Sequence, residues 1–382
     1  MKFAHLADCH LDGWRVPELN ALNLQSFQKA ISICIRQKVE FILIAGDLFD
    51  SAYPSIDILK EVFREFRKLH EANIPVFIIA GSHDYSVSGK TFLDVLEKSG
   101  FCKNAANYET HASKIVLQPT IYRNVAIYGY PGKKSGLEMD EIEKISLQDS
   151  PGLFKILMLH TAIRSAIPNP NIKSVDDSKL PPVNYLALGH LHISYSKNGK
   201  VYPGPLFPNN LSELEELQKG AFYIFNNGKI EKQEIKLKET TIINYEIHDT
   251  INATDEIISS LEKISLKDKI IILKLTGIIE QGRISDISFA KILNFTKEKG
   301  AFLLLKNISR LSFLEPELQL ETIDTEDIES QIIKKFETIN KSKFNYLIHS
   351  LIRVLQIEKN DEEKSAIFEE RLLSEAKKII GI

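Results

Sequence analysis

Six apolar runs in the first 235 residues constrain the fold of this chain more than any other feature. Each run stops at a polar loop, and most of these loops contain glycine: KFAHLADCH, EFILIAGDLFD, IPVFIIAGSHD, NVAIYGYPG, FKILMLHTAI and NYLALGHLH. Continuous apolar runs of this kind are typical of strands buried on both faces, and helical patterns at 24–38 and 55–71 would cover them. The pattern predicts an α/β layered domain.

Histidine or aspartate closes five of these six runs. In open α/β sheets, ligands bind just beyond the carboxyl ends of the strands, so we expect these side chains to meet at one edge. A turn-forming aspartate would explain one or two of them. Polar side chains are seldom placed at so many buried strand ends, and the pattern therefore indicates a shared site.

The stretch IIAGSHD, residues 78–84, places Ser82, His83 and Asp84 side by side. Three consecutive side chains cannot form a Ser–His–Asp relay, because the nucleophile and its base must converge in space from separate positions. The chain also lacks a G-x-S-x-G elbow. We therefore do not interpret Ser82 as a nucleophile.

The candidate metal ligands are four histidines and two aspartates at the strand ends: Asp8, His10, Asp47, His160, His190 and His192. Asp8 and His10 are two residues apart, and on a strand both side chains would leave the same face. His190 and His192 repeat this spacing on another strand. We expect each pair to bind one ion.

The donor types favour Mn, Fe or Zn, since imidazoles and carboxylates occur without a thiolate. Three scattered cysteines without C-x-x-C spacing support neither a disulfide framework nor a zinc ribbon. Two clusters suggest two divalent ions, and a pair about 3.5–4 Å apart promotes in-line displacement at phosphorus. Asp47 is the candidate bridging carboxylate.

Taken in order, the motifs D-x-H, GD, G-x-H-D, a single histidine after a strand and GH-x-H resemble those of the calcineurin-like metallophosphoesterases. More narrowly, HLDGWR, GDLFD, GHLH followed by VYPGPL, and a two-part C-terminal region resemble the SbcD-type DNA repair exonucleases, the family of the meiotic-recombination-eleven nuclease. The resemblance implies a layered β-sandwich flanked by helices, with a small α+β capping domain and a C-terminal helical tail.

The resemblance assigns the first metal to Asp8, His10 and His192, the second to His160 and His190, and Asp47 to both. It implies that His83 is a catalytic group facing the phosphate and that Asp50 orients it. Ser82 departs from the family pattern, in which an asparagine carbonyl oxygen coordinates the second ion. A hydroxyl is a poorer ligand, so we expect a weaker second site or one completed by water.

The predicted domains are 1–237 for the phosphoesterase, 238–320 for the capping domain and 321–382 for a helical segment. In the resembling family the tail binds a long coiled-coil ATPase of the SbcC type. Its candidate contacts are apolar positions at helical spacing: Phe344, Leu347, Leu351, Phe368 and Leu372. The alternative is that these helices pack on each other.

The formal charge of −3 provides no overall basic field for nucleic acid. A phosphate-rich substrate would therefore be held locally, by metal ions, a basic patch or a partner. Trp14 and Arg15 follow the first metal motif and are candidate DNA contacts. The alternative for Trp14 is that it anchors the loop.

The resemblance implies a Mn-dependent exonuclease and endonuclease of double-strand-break repair, acting as a homodimer with the coiled-coil ATPase. Two alternatives stay open: a phosphodiesterase for small substrates, and a scaffold subunit weakened at Ser82. The sequence shows neither a signal peptide nor an apolar stretch of about 18 residues, which predicts a cytoplasmic protein without a membrane span.

Overall fold

The computed structural model describes residues 1–86, 91–111, 114–134, 138–167, 169, 171–313, 333–334, 336–337, 342, 344–359 and 365–381. In this part of the chain, eighteen strands and nine α-helices have defined bounds. The strands are β1 (Lys2–Leu6), β2 (Phe41–Ala45), β3 (Val76–Ile79), β4 (Lys103–Asn104), β5 (Tyr108–His111), β6 (Lys114–Leu117), β7 (Thr120–Tyr122), β8 (Val125–Tyr130), β9 (Ile145–Leu147), β10 (Phe154–His160), β11 (Tyr185–Gly189), β12 (Tyr195–Lys197), β13 (Lys200–Tyr202), β14 (Gly220–Asn226), β15 (Lys229–Ile235), β16 (Glu239–Glu246), β17 (Lys269–Ile279) and β18 (Leu303–Phe313). The helices are α1 (Pro17–Arg36), α2 (Ile56–Glu71), α3 (Phe92–Lys98), α4 (Glu138–Ile142), α5 (Leu211–Leu217), α6 (Ala253–Glu262), α7 (Phe289–Glu298), α8 (Ile348–Leu355) and α9 (Ser365–Ile380).

All six apolar runs form strands, and these strands divide equally between two six-stranded sheets. The first sheet has the order β15-β14-β1-β2-β3-β4, and the second has the order β12-β13-β11-β10-β8-β7. Within each sheet the strands formed by the apolar runs are parallel, so their carboxyl ends lie at one edge. Phe3, Phe41, Ile127 and Ile156 belong to the core between the two sheets. The predicted layered α/β fold is confirmed.

Helices cover the outer face of the first sheet, and a small sheet covers that of the second. Phe27 of α1 and Phe66 of α2 pack in one cluster with the side chains of β1 to β3. The three strands β5-β6-β9 lie over β8, β10 and β11. Helix α1 begins at Pro17, earlier than the predicted 24, and proline at the first helical position suits such a start.

A third sheet contains the parallel strands β16-β17-β18 and forms, with α6 and α7, what we call the three-stranded unit. Helices α6 and α7 pack on one face of this sheet. The other face packs against α5, the start of α1 and the loop that contains Trp14. The predicted order of strand, helix, strand, helix, strand is observed, and the domain boundaries at 237 and 320 stay a prediction.

The C-terminal region contains α8 and α9, which contact each other as the alternative for this region expected. Leu347 is buried, whereas Leu351, Phe368 and Leu372 are partly buried and Phe344 is exposed. Residues 321–332 of the predicted tail lie outside the described residues. No helix in the described part of the chain is long and apolar enough to cross a membrane.

Candidate metal centre

The first metal motif lies in a tight loop, and not on a strand as we had predicted. Strand β1 ends at Leu6, and Asp8 and His10 follow it with left-handed backbone, at φ 51° and 41°. Asp47 (φ 52°) and His190 (φ 94°) also adopt positive φ just after their strands. Aspartate and histidine tolerate this conformation better than most residues. The ligand side chains therefore converge through sharp turns, and strand alternation does not explain their direction.

Two groups of candidate ligand atoms meet at the joint edge of the two sheets. Ligand atoms of Asp8, His10 and His192 lie within 4.8 Å of one another, and so do those of Asp8, Asp47 and His160. Nε2 of His160 lies 3.1 Å from Oδ2 of Asp47, and Nε2 of His10 lies 3.5 Å from the same oxygen. Asp47 therefore contacts a histidine of each group, whereas Asp8 belongs to both groups, and the bridging role of Asp47 stays a prediction.

His190 borders the second group. Its ring centre is 5.3 Å from that of His160, and its backbone N–H donates to Oδ1 of Asp8 at 2.8 Å. Burial and the neighbouring His160 lower the pKa of His190 to about 4. Its imidazole is therefore neutral near pH 7 and retains a lone pair for a metal ion.

Three of the candidate histidines have Nδ1 fixed by a neighbour. Nδ1 of His10 lies 2.9 Å from the carboxylate of Asp50, and that of His160 lies 2.9 Å from the carbonyl oxygen of Ala45. Nδ1 of His192 lies 2.9 Å from Oε1 of Glu213. These contacts leave Nε2 as the nitrogen that can bind an ion. Despite the burial of His160, Asp47 raises the pKa of this histidine to about 10, so an ion at this position would displace the proton from Nε2.

Several buried polar atoms in this cluster make no hydrogen bond: Asp8 Oδ2, His10 Nε2 and His160 Nε2, of which the two nitrogens have only ion-pair contacts with Asp47. Buried polar atoms are rarely left unpaired in folded proteins. These atoms are an oxygen and two imidazole nitrogens, the donor types that bind Mn, Fe or Zn. The residues present therefore fit a divalent cation.

The two buried carboxylates respond differently to their surroundings. Burial raises the pKa of Asp8, and the neighbouring His192 and His160 only partly offset that effect. Burial also opposes ionisation of Asp47, but His160 and His10 hold its pKa well below its usual range. A divalent cation would favour the ionised form of both groups.

The GSHD loop is held to the loop after β2 by the buried carboxylate of Asp84. This carboxylate accepts hydrogen bonds from the backbone N–H groups of Leu48 at 3.2 Å, Phe49 at 3.0 Å and Gly81 at 3.0 Å. Ser82 Oγ lies 3.5 Å from Asp47 Oδ2. The hydroxyl therefore lies beside the candidate bridging carboxylate.

His83 is partly exposed at the edge of the cluster, and Asp50 contacts it mainly through the main chain. Nδ1 of His83 lies 2.8 Å from the carbonyl oxygen of Asp50 and 3.5 Å from its carboxylate. The carboxylate makes its shorter contact with His10. Asp50 thus contacts both histidines, and ligand atoms of all three residues lie within 4.8 Å of one another.

Two glycines allow the sheets to approach each other at the site. A Cβ on Gly46, which has φ +90°, would lie 2.2 Å from Nδ1 of His160. A Cβ on Gly189 would lie 2.1 Å from the carbonyl oxygen of Ala45. Either side chain would push His160 away from its hydrogen-bond partner, so both positions require glycine.

Sequence reasoning missed two supporting carboxylates, Asp84 and Glu213. The pattern Asn-x-x-Glu at 210–213 is a helix-start signal, and Asn210 does cap α5. That signal predicts a helix but gives no indication that Glu213 contacts a metal ligand. Asp84 stands in a recognised motif, yet two of its three backbone partners, Leu48 and Phe49, come from a loop more than 30 residues earlier.

The candidate DNA contact Trp14 packs against the residues that precede α5. Nε1 of Trp14 donates to the carbonyl oxygen of Pro208 at 2.8 Å, and its ring packs near Phe207. These contacts are what the anchoring alternative for Trp14 expects. Arg15 is exposed.

Comparison with known proteins finds a matching family and several related chains. Residues 1–194 match the family described as calcineurin-like phosphoesterase. The chain is 26% identical to a DNA double-strand break repair protein Mre11 of Methanocaldococcus jannaschii over 294 residues, which cover 69% of this chain and 74% of that protein. It is also 26% identical to the Mre11 protein of Methanococcus maripaludis over 357 residues, covering 88% and 91% of the two chains.

A bacterial relative has a less specific name. The chain is 29% identical to the uncharacterized metallophosphoesterase YhaO of Bacillus subtilis over 252 residues, covering 60% of this chain and 59% of that protein. The family match includes every candidate metal ligand from Asp8 to His192. This chain therefore belongs to the calcineurin-like phosphoesterase family of metal-dependent enzymes.

Proposed function

We propose that this protein is a Mn-dependent DNA nuclease that hydrolyses phosphodiesters with two metal ions. The observation that carries the proposal is that His10 Nε2 and His160 Nε2, which are buried and make no hydrogen bond, converge on the carboxylate of Asp47 from the two sheets. Asp8, His10 and His192 would hold one ion, and His160 and His190 the other. When bound, the ions would neutralise charge on the phosphate and lower the pKa of the attacking water.

The protein's own residues would orient and protonate the substrate. His83 is partly exposed next to the ligands, with its Nδ1 near the main-chain oxygen of Asp50. Its Nε2 is therefore free to face a phosphate or a leaving oxygen. We assign His83 the role of general acid or transition-state stabiliser.

DNA as the substrate is supported by the relatives and by their coverage of the chain. The relatives named DNA double-strand break repair proteins align beyond the phosphoesterase region, and one of them covers 88% of this chain. A small phosphodiester would need no such additional region. We propose exonuclease action on duplex ends and endonuclease action on hairpins and single strands.

The partners belong to the same proposal. A long coiled-coil ATPase of the SbcC type would bind the C-terminal helices, and the protein would act as a homodimer. Among the candidate contacts, Phe344 is exposed, whereas Leu347 is buried.

Parallel cleavage assays test the nuclease proposal. We expect the full chain with Mn²⁺ to cleave linear duplex and hairpin DNA, and to stop when EDTA is added. Asp47→Asn should abolish cleavage, whereas Asp57→Asn, at an exposed position on α2, should not change it. Cleavage of bis(p-nitrophenyl) phosphate without cleavage of DNA would contradict the nuclease assignment and favour a small-substrate phosphodiesterase. Absence of both activities would favour the weakened scaffold.

A further inference from the structure

The candidate ligand His192 is held by helix α5 through Glu213. Oε1 of Glu213 lies 2.9 Å from Nδ1 of His192 and accepts a hydrogen bond from Nδ2 of Asn210 at 2.6 Å. Oε2 accepts the backbone N–H of Asn209 at 2.9 Å. The carboxylate is therefore fixed on both oxygens, and it restricts the orientation of the His192 ring.

The same helix is joined to the three-stranded unit. Glu215 accepts hydrogen bonds from Nζ of Lys274 on β17 and from Nδ2 of Asn307 on β18. The Glu215 and Lys274 side chains are only 12% and 18% exposed, so water screens this ion pair weakly. Between Glu213 and Glu215, Leu214 is buried in one apolar cluster with Ile270 of β17.

The loop after His10 rests on the same apolar cluster. Trp14 belongs to this cluster, and its Nε1 donates a hydrogen bond to the carbonyl oxygen of Pro208, the residue before Asn209. Two candidate ligands of the first metal, His10 and His192, are therefore supported by segments that pack against the three-stranded unit. His160 is supported instead by Ala45 at the end of β2, within the first sheet.

We infer that Glu213 is a positioning residue for His192 and that α5 couples the three-stranded unit to the first metal site. The inference rests on the proposed two-metal function. A carboxylate that accepts the second N–H of a ligand histidine fixes the direction of its other nitrogen, and its loss typically costs 10–100-fold in metal affinity. Because Glu213 and Glu215 are two residues apart, a shift of β17 and β18 would displace the carboxylate beside His192. A molecule that moves the three-stranded unit would then change the occupancy of the first site.

Calorimetric titration of the metal-free full-length protein with Mn²⁺ tests the positioning role. His192→Ala and His190→Ala identify which binding phase belongs to which site. We expect Glu213→Gln to weaken the first site by about 10–100-fold and to leave the second unchanged. First-site affinity equal to that of the wild type would overturn the positioning role.

Lys274→Met tests the coupling, because Lys274 lies in the three-stranded unit and contacts α5 through Glu215. We expect its first-site affinity to fall about fivefold, the lower end of common coupling energies. Lys269→Met is the matched control: it removes a lysine from the same strand, whose partner Glu239 lies within the unit. Equal first-site affinities for the two variants would overturn the coupling.

The wild-type titration separates failure of this inference from failure of the proposed function. Fewer than two bound Mn²⁺ ions per chain would overturn the two-metal proposal and the inference with it. Two bound ions, with unchanged affinities in Glu213→Gln and Lys274→Met, would overturn the inference alone. Melting temperatures of the metal-free variants, measured in parallel, separate a loss of metal affinity from a loss of folding.

Discussion

At the residue scale, the chemistry of the site depends on which ring nitrogen of each histidine is already in contact with a neighbouring residue. Contacts at Nδ1 of His10, His160 and His192 leave Nε2 directed at the cluster. His83 has the same arrangement but is more exposed and lies at the edge. One type of side chain can therefore serve as a metal ligand or as a catalytic acid, and its surroundings determine the role.

We expect His83→Ala to retain both metal ions and to lose cleavage by about 10²–10⁴-fold, because a general acid or base typically contributes this much. Metal content measured by mass spectrometry and the rate on hairpin DNA check the two halves of this prediction. Loss of a metal ion in the variant would make His83 a ligand. Full activity would remove it from the mechanism.

Ser82→Asn should tighten binding at the second metal site and raise activity at limiting Mn²⁺, because the asparagine side chain reaches further and its amide oxygen is a better metal ligand than a hydroxyl. The position suits this change, because Ser82 Oγ lies beside Asp47. Metal titration and rates at low Mn²⁺ concentration are the measurements. Titration and rates equal to those of the wild type would refute it, and Ser82→Ala provides the control without a donor.

At the element scale, the strand ends bring the site residues together, and hydrogen bonds between loops fix the spacing of these residues. Asp84 connects the loops after β2 and β3 through three backbone N–H groups. Burial and the neighbouring Asp47 raise its pKa to about 6. These loops contain Asp47 and His83, so Asp84 determines how the candidate bridge and the candidate acid are spaced.

Asp84→Asn should lower the free energy of unfolding by about 1–3 kcal/mol, because the new NH₂ group is a donor and leaves at least one of the three backbone N–H groups without an acceptor. Urea denaturation of the metal-free protein measures this loss. Asp57→Asn, at an exposed position on α2, is the control and should have little effect. Equal midpoints for the two variants would show that Asp84 does not hold the loops.

The sequence predicted the elements better than the geometry of the ligands. Apolar runs predicted all six strands that border the site, because burial on both faces requires an uninterrupted run. The directions of Asp8 and His10 could not be predicted, since they depend on left-handed turns after β1. The partnership of Glu213 with His192 depends on tertiary packing, which local patterns do not encode.

At the scale of the whole molecule, the candidate site lies where two sheets meet and is supported from one side by the three-stranded unit. Buried donor atoms without partners reduce stability unless a cation binds them. Ion binding and folding should therefore be linked in this protein.

We expect the melting temperature to rise with Mn²⁺ concentration and to fall when EDTA is added. At an ion concentration 100 times the dissociation constant, one site should add about 2.7 kcal/mol to the free energy of unfolding. Differential scanning calorimetry measures this change. In Asp47→Asn, most of the Mn²⁺-dependent rise in melting temperature should be lost. A wild-type melting temperature independent of Mn²⁺ would contradict the linkage between ion binding and folding.

We propose that strand ends from both sheets assemble around two divalent cations. Anomalous diffraction from crystals grown with Mn²⁺ tests it most directly. We expect two peaks about 3.5–4 Å apart, one beside Asp8, His10 and His192, the other beside His160 and His190, with Asp47 between them. A single peak, or peaks remote from Asp47, would contradict it.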